Sequence, residues 1–206
     1  MTLVQTPTTG TQVQHVLRQR GTMQSAWAFD ALLIVFGSLF VALCAQIRIP
    51  LPFTPVPITA QTMGILLVGS LLGARHGTLS MLLYLALGAI GLPFFSGGNG
   101  GIQWLQGATA GYLLAAPLAA ALVGWLAQRG WDRHIASAAL SMLLGNVIIY
   151  ALGVAWLATL VGISAAIQQG LLPFIIGDVL KIAVACLVLP GGWHLIKRTT
   201  DEGSAN

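Results

Sequence analysis

The sequence predicts an all-α membrane protein of six transmembrane helices. Three observations carry that expectation. Of the 206 residues, 56% are hydrophobic and 7% are charged, against about 25% charged in ordinary soluble domains. With so few charges no soluble surface can be built. The apolar residues also fall into six runs, parted by proline-rich, glycine-rich or charged stretches. Finally, drawing six spans gathers Arg18, Arg20, Arg75, Arg129, Arg133, Lys197 and Arg198 on one side and leaves Arg48 alone on the other. That asymmetry is the positive-inside pattern, so both termini are expected in the cytoplasm of a cell inner or plasma membrane.

Residues 1–26 read as a polar, flexible cytoplasmic tail, residues 27–197 as the six-helix membrane domain, and residues 198–206 as a second cytoplasmic tail. The first apolar run, from Phe29 to Ile47, is already long enough to span, so no cleaved secretory signal is expected. Asp30 opens it, where the helix dipole favours an anion. Arg48 to Pro57 carries Pro50, Pro52, Pro55 and Pro57; proline fixes φ and restrains its predecessor, so this loop is stiff. Two shorter runs follow, Ile58 to Leu72 and Gly77 to Gly91. Arg75 and His76 at their junction favour two short or tilted spans with the junction at the water interface.

Leu92 to Gln106 is an uncharged loop rich in glycine and aromatic residues. Gly107 to Gln128 makes the fourth span and Ile135 to Leu160 the fifth. Val161 to Gly170 reads as a short link. Leu171 to Leu189 is the sixth span, closed by Pro190-Gly191-Gly192.

Composition also excludes functions. The bases are scattered at helix ends, as an orientation signal is, and give no footprint for nucleic acid. The signatures G-x-x-x-x-G-K-[ST], H-E-x-x-H and G-x-S-x-G are missing, so no enzyme and no nucleotide site is expected. His15, His76, His134 and His194 are too dispersed for a metal cluster. No cofactor is called for. Cys44 and Cys186 fall in opposite leaflets, which speaks against a disulfide.

One pair stands out. Asp178 and Lys181 lie three residues apart within the last apolar run and share a helix face. Each charge costs at least ~2.5–3.5 kcal/mol at mid-membrane on insertion scales, a cost that usually marks a ligand or ion site; the alternative is an ion pair that orients a bundle helix. The topology sets this pair in the outer half, beneath the proline and glycine-aromatic loops. Thr59, Gln61 and Thr62 open the second span, Ser80 and Tyr84 share a face of the third, and Thr109 and Tyr112 open the fourth. Buried polar groups need partners, so these face the bundle interior. They are either helix–helix hydrogen bonds or the wall of a shared cavity, and their clustering at the outer ends favours the cavity. Asn99 is a turn former or a ligand contact. Phe94, Phe95 and Trp104 are lid or interfacial residues. Ser38, Ala42 and Ala45 form a small-residue face on the first helix, a candidate docking surface for a second membrane subunit.

Several segments resemble one family. They are Pro55-Val56-Pro57-Ile58-Thr59-Ala60-Gln61-Thr62, Leu71-Leu72-Gly73-Ala74-Arg75-His76-Gly77, Tyr84-Leu85-Ala86-Leu87-Gly88-Ala89-Ile90-Gly91-Leu92-Pro93-Phe94-Phe95, Gly107-Ala108-Thr109-Ala110-Gly111-Tyr112-Leu113 and Gly177-Asp178-Val179-Leu180-Lys181. Together they are similar to BioY, the biotin-binding S component of energy-coupling-factor (ECF) transporters, from about residue 30 to 196. The resemblance implies the six-helix S-component fold and a biotin site near the outer face. It also implies a transmembrane coupling protein and two ABC-type ATPases as partners. The biotin-binding candidates are then Asp178, Lys181, Asn99, Tyr84, Thr109, Tyr112, Gln61 and Trp104, with Ser38, Ala42 and Ala45 docking the coupling protein. The sequence does not say which end of biotin the acid–base pair holds; its depth favours the ureido ring.

Overall fold

The computed structural model describes Thr11 and residues 26–203, with residues 26, 187, 188 and 192–203 described by backbone alone. The tail bases Arg18 and Arg20 lie outside the described residues, as do the side chains of Lys197 and Arg198. Helix α1 (Ala26–Gln46) leads into a two-residue strand β1 (Arg48–Ile49), which pairs antiparallel with β2 (Ile58–Thr59). This small ladder closes the base of the proline loop, so the prolines lie in a stapled hairpin. Helices α2 (Gln61–Ala89), α3 (Ala110–Gln128) and α4 (Ile135–Val161) follow, then the short α5 (Ile163–Gly170) and the long α6 (Leu172–Gly203).

Among the described residues five helical stretches are long and apolar enough to cross a membrane, where the sequence suggests six. The difference lies in α2. Its backbone breaks at Gly73, which holds φ 84° and ψ 174°, a region open essentially to glycine alone. The chain doubles back there without a loop. A Cβ placed on Gly77 would lie 2.9 Å from Gly69 Cα, whereas eight residues along a straight helix span about 12 Å. The two short apolar runs are thus two helical passes within α2 that meet at Gly73, as the sequence expects, and the glycines let them touch. Thr11 is fully buried, with its Cγ2 beside this turn.

Two expectations are corrected. The link from Val161 to Gly170 contains α5, a helix that the sequence hides because it is short and uncharged. The last helix does not stop at Pro190-Gly191-Gly192 but continues to Gly203; proline costs one hydrogen bond there without ending the helix, as membrane helices tolerate.

Alanines of α3 form the floor of the core. Ala115, Ala116, Ala119 and Ala120 are fully buried, and a Cβ on Gly69 would lie 2.7 Å from the Ala120 carbonyl oxygen. Small residues permit that backbone approach. Around them pack Ile65, Met81, Tyr84, Val123, Met142 and Ile149. Large apolar side chains face outward: Leu32, Phe36, Leu39 and Leu43 on α1, Leu143 and Val147 on α4, and Ile176, Val179 and Leu180 on α6. Such a shell is untenable in water and suited to lipid. The protein is a multi-pass membrane protein.

The ends of the bundle are chemically distinct. At one end, His76 Nε2 lies 3.1 Å from Asp30 Oδ1, joining the start of α1 to the α2 turn. The C-terminal part of α3 packs there too, against Gly73 and Ala74. At the other end lie the proline loop, the glycine-aromatic loop and α5.

Ser38, Ala42 and Ala45 are 0%, 7% and 0% exposed. The small-residue face of α1 is therefore turned inward, within a bundle where α1 packs chiefly on α2. It offers no free surface for a second subunit. Small residues serve helix packing inside a chain as readily as between chains, and the pattern alone does not separate the two.

Candidate functional site

The site begins with α6. This helix turns two opposed faces outward and inward: Ile176 is 84% exposed while Asp178 is 4% exposed. Asp178 thus points into the bundle, where a bare carboxylate would be costly. Both its oxygens are satisfied. Lys181 Nζ lies 2.9 Å from Oδ1 as a hydrogen-bonded ion pair, and the Tyr150 hydroxyl of α4 donates to Oδ2. Lys181 Nζ also donates to Thr62 Oγ1 of α2 at 3.0 Å. One acid–base pair therefore ties three helices together. Tyr150 was not legible as a site residue, because a tyrosine in a membrane helix reads equally as packing or interface.

Above this network lies a cavity of about 220 Å³, small beside the ~300–1,000 Å³ of common ligand pockets. Its lining joins the proline loop (Thr54 to Pro57), α2 (Gln61, Thr62), the glycine-aromatic loop (Phe95, Asn99, Trp104), α3 (Thr109, Tyr112), α4 (Tyr150) and α6 (Phe174, Lys181). Of the eight expected site residues, six line it together: Gln61, Asn99, Trp104, Thr109, Tyr112 and Lys181. Two do not. Asp178 stands behind Lys181, with its oxygens engaged within the protein. Tyr84 is fully buried in the core, stacked against Phe94 with ring centroids 6.1 Å apart and edge-on to Phe95 at 5.7 Å. Period alone placed Tyr84 on an inner face, and that face meets the loop aromatics and not the cavity.

Asn99 forms the turn and stands in the cavity wall. Its Nδ2 donates to the Ser96 carbonyl at 2.6 Å, and its backbone bridges to Phe95, yet it lines the cavity. Arg48 also lines it and lies against Gly97 of the facing loop. The sequence presented Arg48 only as an orientation charge. Arg48 and Lys181 are the two cations of the lining.

Both loops are latched. Gln46 ends α1 and accepts the Gly98 N–H at 2.7 Å on Oε1, while its Nε2 donates to the Phe95 carbonyl at 3.3 Å. Thr54 Oγ1 donates to the Gln169 carbonyl of α5 at 2.8 Å. Tyr112 O–H donates to the Gly170 carbonyl at 2.8 Å. A second apolar cluster of Val56, Leu157, Ala166 and Phe174 seats the proline loop. The result is an enclosure with apolar walls, a few aimed polar groups and two cations, Arg48 beside the glycine-aromatic loop and Lys181 within α6. Among the described residues no group of three or more His, Cys, Asp or Glu is placed to hold a metal ion.

Residues 16–198 match the family described as the BioY family. A protein of Pyrococcus horikoshii named "Probable biotin transporter BioY" is 41% identical over 152 residues, covering 73% of this chain and 90% of that protein. The "Biotin transporter BioY" of Rhizobium etli is 39% identical over 162 residues, covering 75% of this chain and 87% of its own length. A crystal structure at 2.1 Å of the S-component for biotin from an ECF-type ABC transporter has a TM-score of 0.70 and 30% identity, covering 79% of this chain and 89% of that one.

Proposed function

This chain belongs to the BioY family, and on that premise we propose that it is the substrate-binding membrane subunit of a biotin uptake transporter. It captures biotin in the latched cavity and delivers it inward with energy from partner ABC-type ATPases, through an ECF transmembrane coupling protein. Both termini face the cytoplasm. The bases at the Arg75 and Arg129–Arg133 turns support that orientation, since both turns belong to the end of the bundle opposite the loops.

The observation that carries the reading is the cavity's chemistry. Biotin presents a ureido ring with two N–H donors and one carbonyl acceptor, an apolar thiophane ring, and a chain ending in a carboxylate. The lining offers two cations, one from the deep α6 network and one from the first loop, with Phe95, Trp104, Ile149 and Phe174 among the apolar surfaces. Lys181 is the deep donor and meets the ureido carbonyl; Asn99, Gln61, Thr109 and Tyr112 supply polar contacts along the wall. Arg48 meets the carboxylate, which then stays near the loops and water. Asp178 acts through Lys181 and Tyr150, holding both at fixed angles. Tyr84 supports Phe95 from behind.

Isothermal titration of the purified protein with biotin tests the proposal. Binding at micromolar or tighter affinity is expected. Saturating biotin that produces no heat and no competition with a labelled analogue sinks it.

A further inference from the structure

Lys181 borders two cavities. Beyond the 220 Å³ chamber lies a second, of about 10 Å³, lined by Thr62, Met63, Leu66, Met142, Asn146, Lys181, Ile182 and Ala185. Its polar members are Thr62, Asn146 and Lys181, the first and last shared with the larger chamber. Asn146 is 5% exposed, and its Oδ1 is buried with no hydrogen-bond partner among the described residues. A buried amide oxygen without a donor is costly, and natural cores rarely leave one so.

The register of α4 against α6 explains why these groups meet. The two helices run in opposite senses, and Tyr150 is bonded to Asp178. One turn further along each helix, four residues back on α4 and four forward on α6, stand Asn146 and Ile182. Lys181 adjoins Ile182, so its ammonium reaches the same chamber. An ammonium has three donors. Asp178 Oδ1 takes one and Thr62 Oγ1 takes another; the third is left for the ureido carbonyl of the proposed ligand, and Thr62 keeps its own hydroxyl proton to donate.

We propose that the small chamber is a binding site for a single structural water, which accepts from the Thr62 hydroxyl and donates to Asn146 Oδ1. The chamber has the room one water needs, ~10–15 Å³ for a probe sphere, and its polar groups supply the partners. Asn146 is thereby a positioning residue for Lys181: through the water it orients the Thr62 hydroxyl, whose oxygen accepts from the ammonium. This role rests on the proposed biotin site, because its consequence is read as biotin affinity.

Two measurements on the full chain test it. A structure of the purified protein at a resolution that shows ordered solvent is expected to place one water within hydrogen-bond distance of both Asn146 Oδ1 and Thr62 Oγ1. Asn146→Leu, which fills the chamber and removes the acceptor, is expected to weaken biotin binding about tenfold. Asn146→Ser, which stays neutral and keeps an oxygen acceptor, is expected to bind within threefold of the parent. The inference is overturned if Asn146 Oδ1 bonds directly to a protein donor in that structure, or if Asn146→Leu binds like the parent. It is equally overturned if Asn146→Leu and Asn146→Ser lose affinity alike, as for a residue with only a packing role. Should the parent fail to bind biotin, the functional proposal falls, and the water position alone decides this one.

Discussion

Asp178 and Lys181 are joined at 2.9 Å, yet only Lys181 lines the cavity. The pair is asymmetric: one member meets the chamber and the other fixes it from behind. Replacing either changes the site differently. Lys181→Ala deletes the deep donor, and biotin affinity is expected to fall at least tenfold, about 1.4 kcal/mol. Asp178→Asn leaves the Lys181 charge without its counter-charge, and breaking a buried pair costs about 3–5 kcal/mol. It should therefore lower both affinity and the detergent unfolding temperature. Titration and thermal unfolding of each variant check this; unchanged affinity in both removes the pair from the site.

Tyr150 offers a finer test of that asymmetry. Tyr150→Phe removes one hydrogen bond to Asp178 Oδ2 while keeping the ring against Tyr112 and Phe174. A hydrogen bond to a charged group is worth about 1.5–3 kcal/mol. Part of that loss should appear in biotin affinity, because Asp178 then holds Lys181 less firmly. Equilibrium titration should show a loss of several-fold; a variant as tight as the parent would mean that the α4 contact serves the bundle and not the site.

Much of this arrangement is legible in the sequence, and the parts that are not have physical reasons. Asp178 and Lys181 are conspicuous because a charge in an apolar run has few structural excuses. Gln61, Thr109 and Tyr112 follow because polar residues at the outer ends of helices converge under shared loops. Tyr150 is silent because its partner is 28 residues away, and only the α4–α6 register brings them together. The turn at Gly73 is hidden among 25 glycines, most of which serve close packing. Ser38, Ala42 and Ala45 mislead for a related reason: a small-residue stripe records close approach without recording which helix approaches.

Gly73 should be intolerant of any side chain. Alanine there must adopt φ 84°, ψ 174°, a strain of about 1–3 kcal/mol, and its Cβ would also meet Gln128 Nε2 at 2.8 Å. Gly73→Ala is expected to lower the unfolding temperature in detergent by several degrees, since ~1 kcal/mol shifts a domain of this size by about 2–4 °C. An unchanged melting curve would mean that the α2 halves are joined in another way.

The loop latches should govern how long biotin stays. Gln46 holds Gly98 and Phe95, and Thr54 holds Gln169, while none of these contacts uses a group that biotin needs. Each net hydrogen bond is worth about 0.5–1.5 kcal/mol. Gln46→Leu and Thr54→Val are therefore expected to speed dissociation by roughly 2- to 10-fold with a smaller change in association. A chase of labelled biotin measures this. Equal slowing of association in both variants would instead point to loops that are preformed and only help entry.

Arg48 should read the carboxylate and nothing else. It lines the cavity from the first loop, beside Gly97 of the second, whereas Lys181 belongs to the deep network on α6. If biotin lies with its ureido ring on Lys181, its tail ends at Arg48, and a charged hydrogen bond there is worth about 1.5–3 kcal/mol. Arg48→Gln is then expected to weaken biotin at least tenfold while leaving biotin methyl ester, which lacks the charge, within about twofold of its affinity for the parent. Lys181→Ala should weaken both ligands alike. The opposite result, with the ester insensitive to Lys181→Ala and sensitive to Arg48→Gln, reverses the ligand in the cavity and assigns the carboxylate to the α6 network.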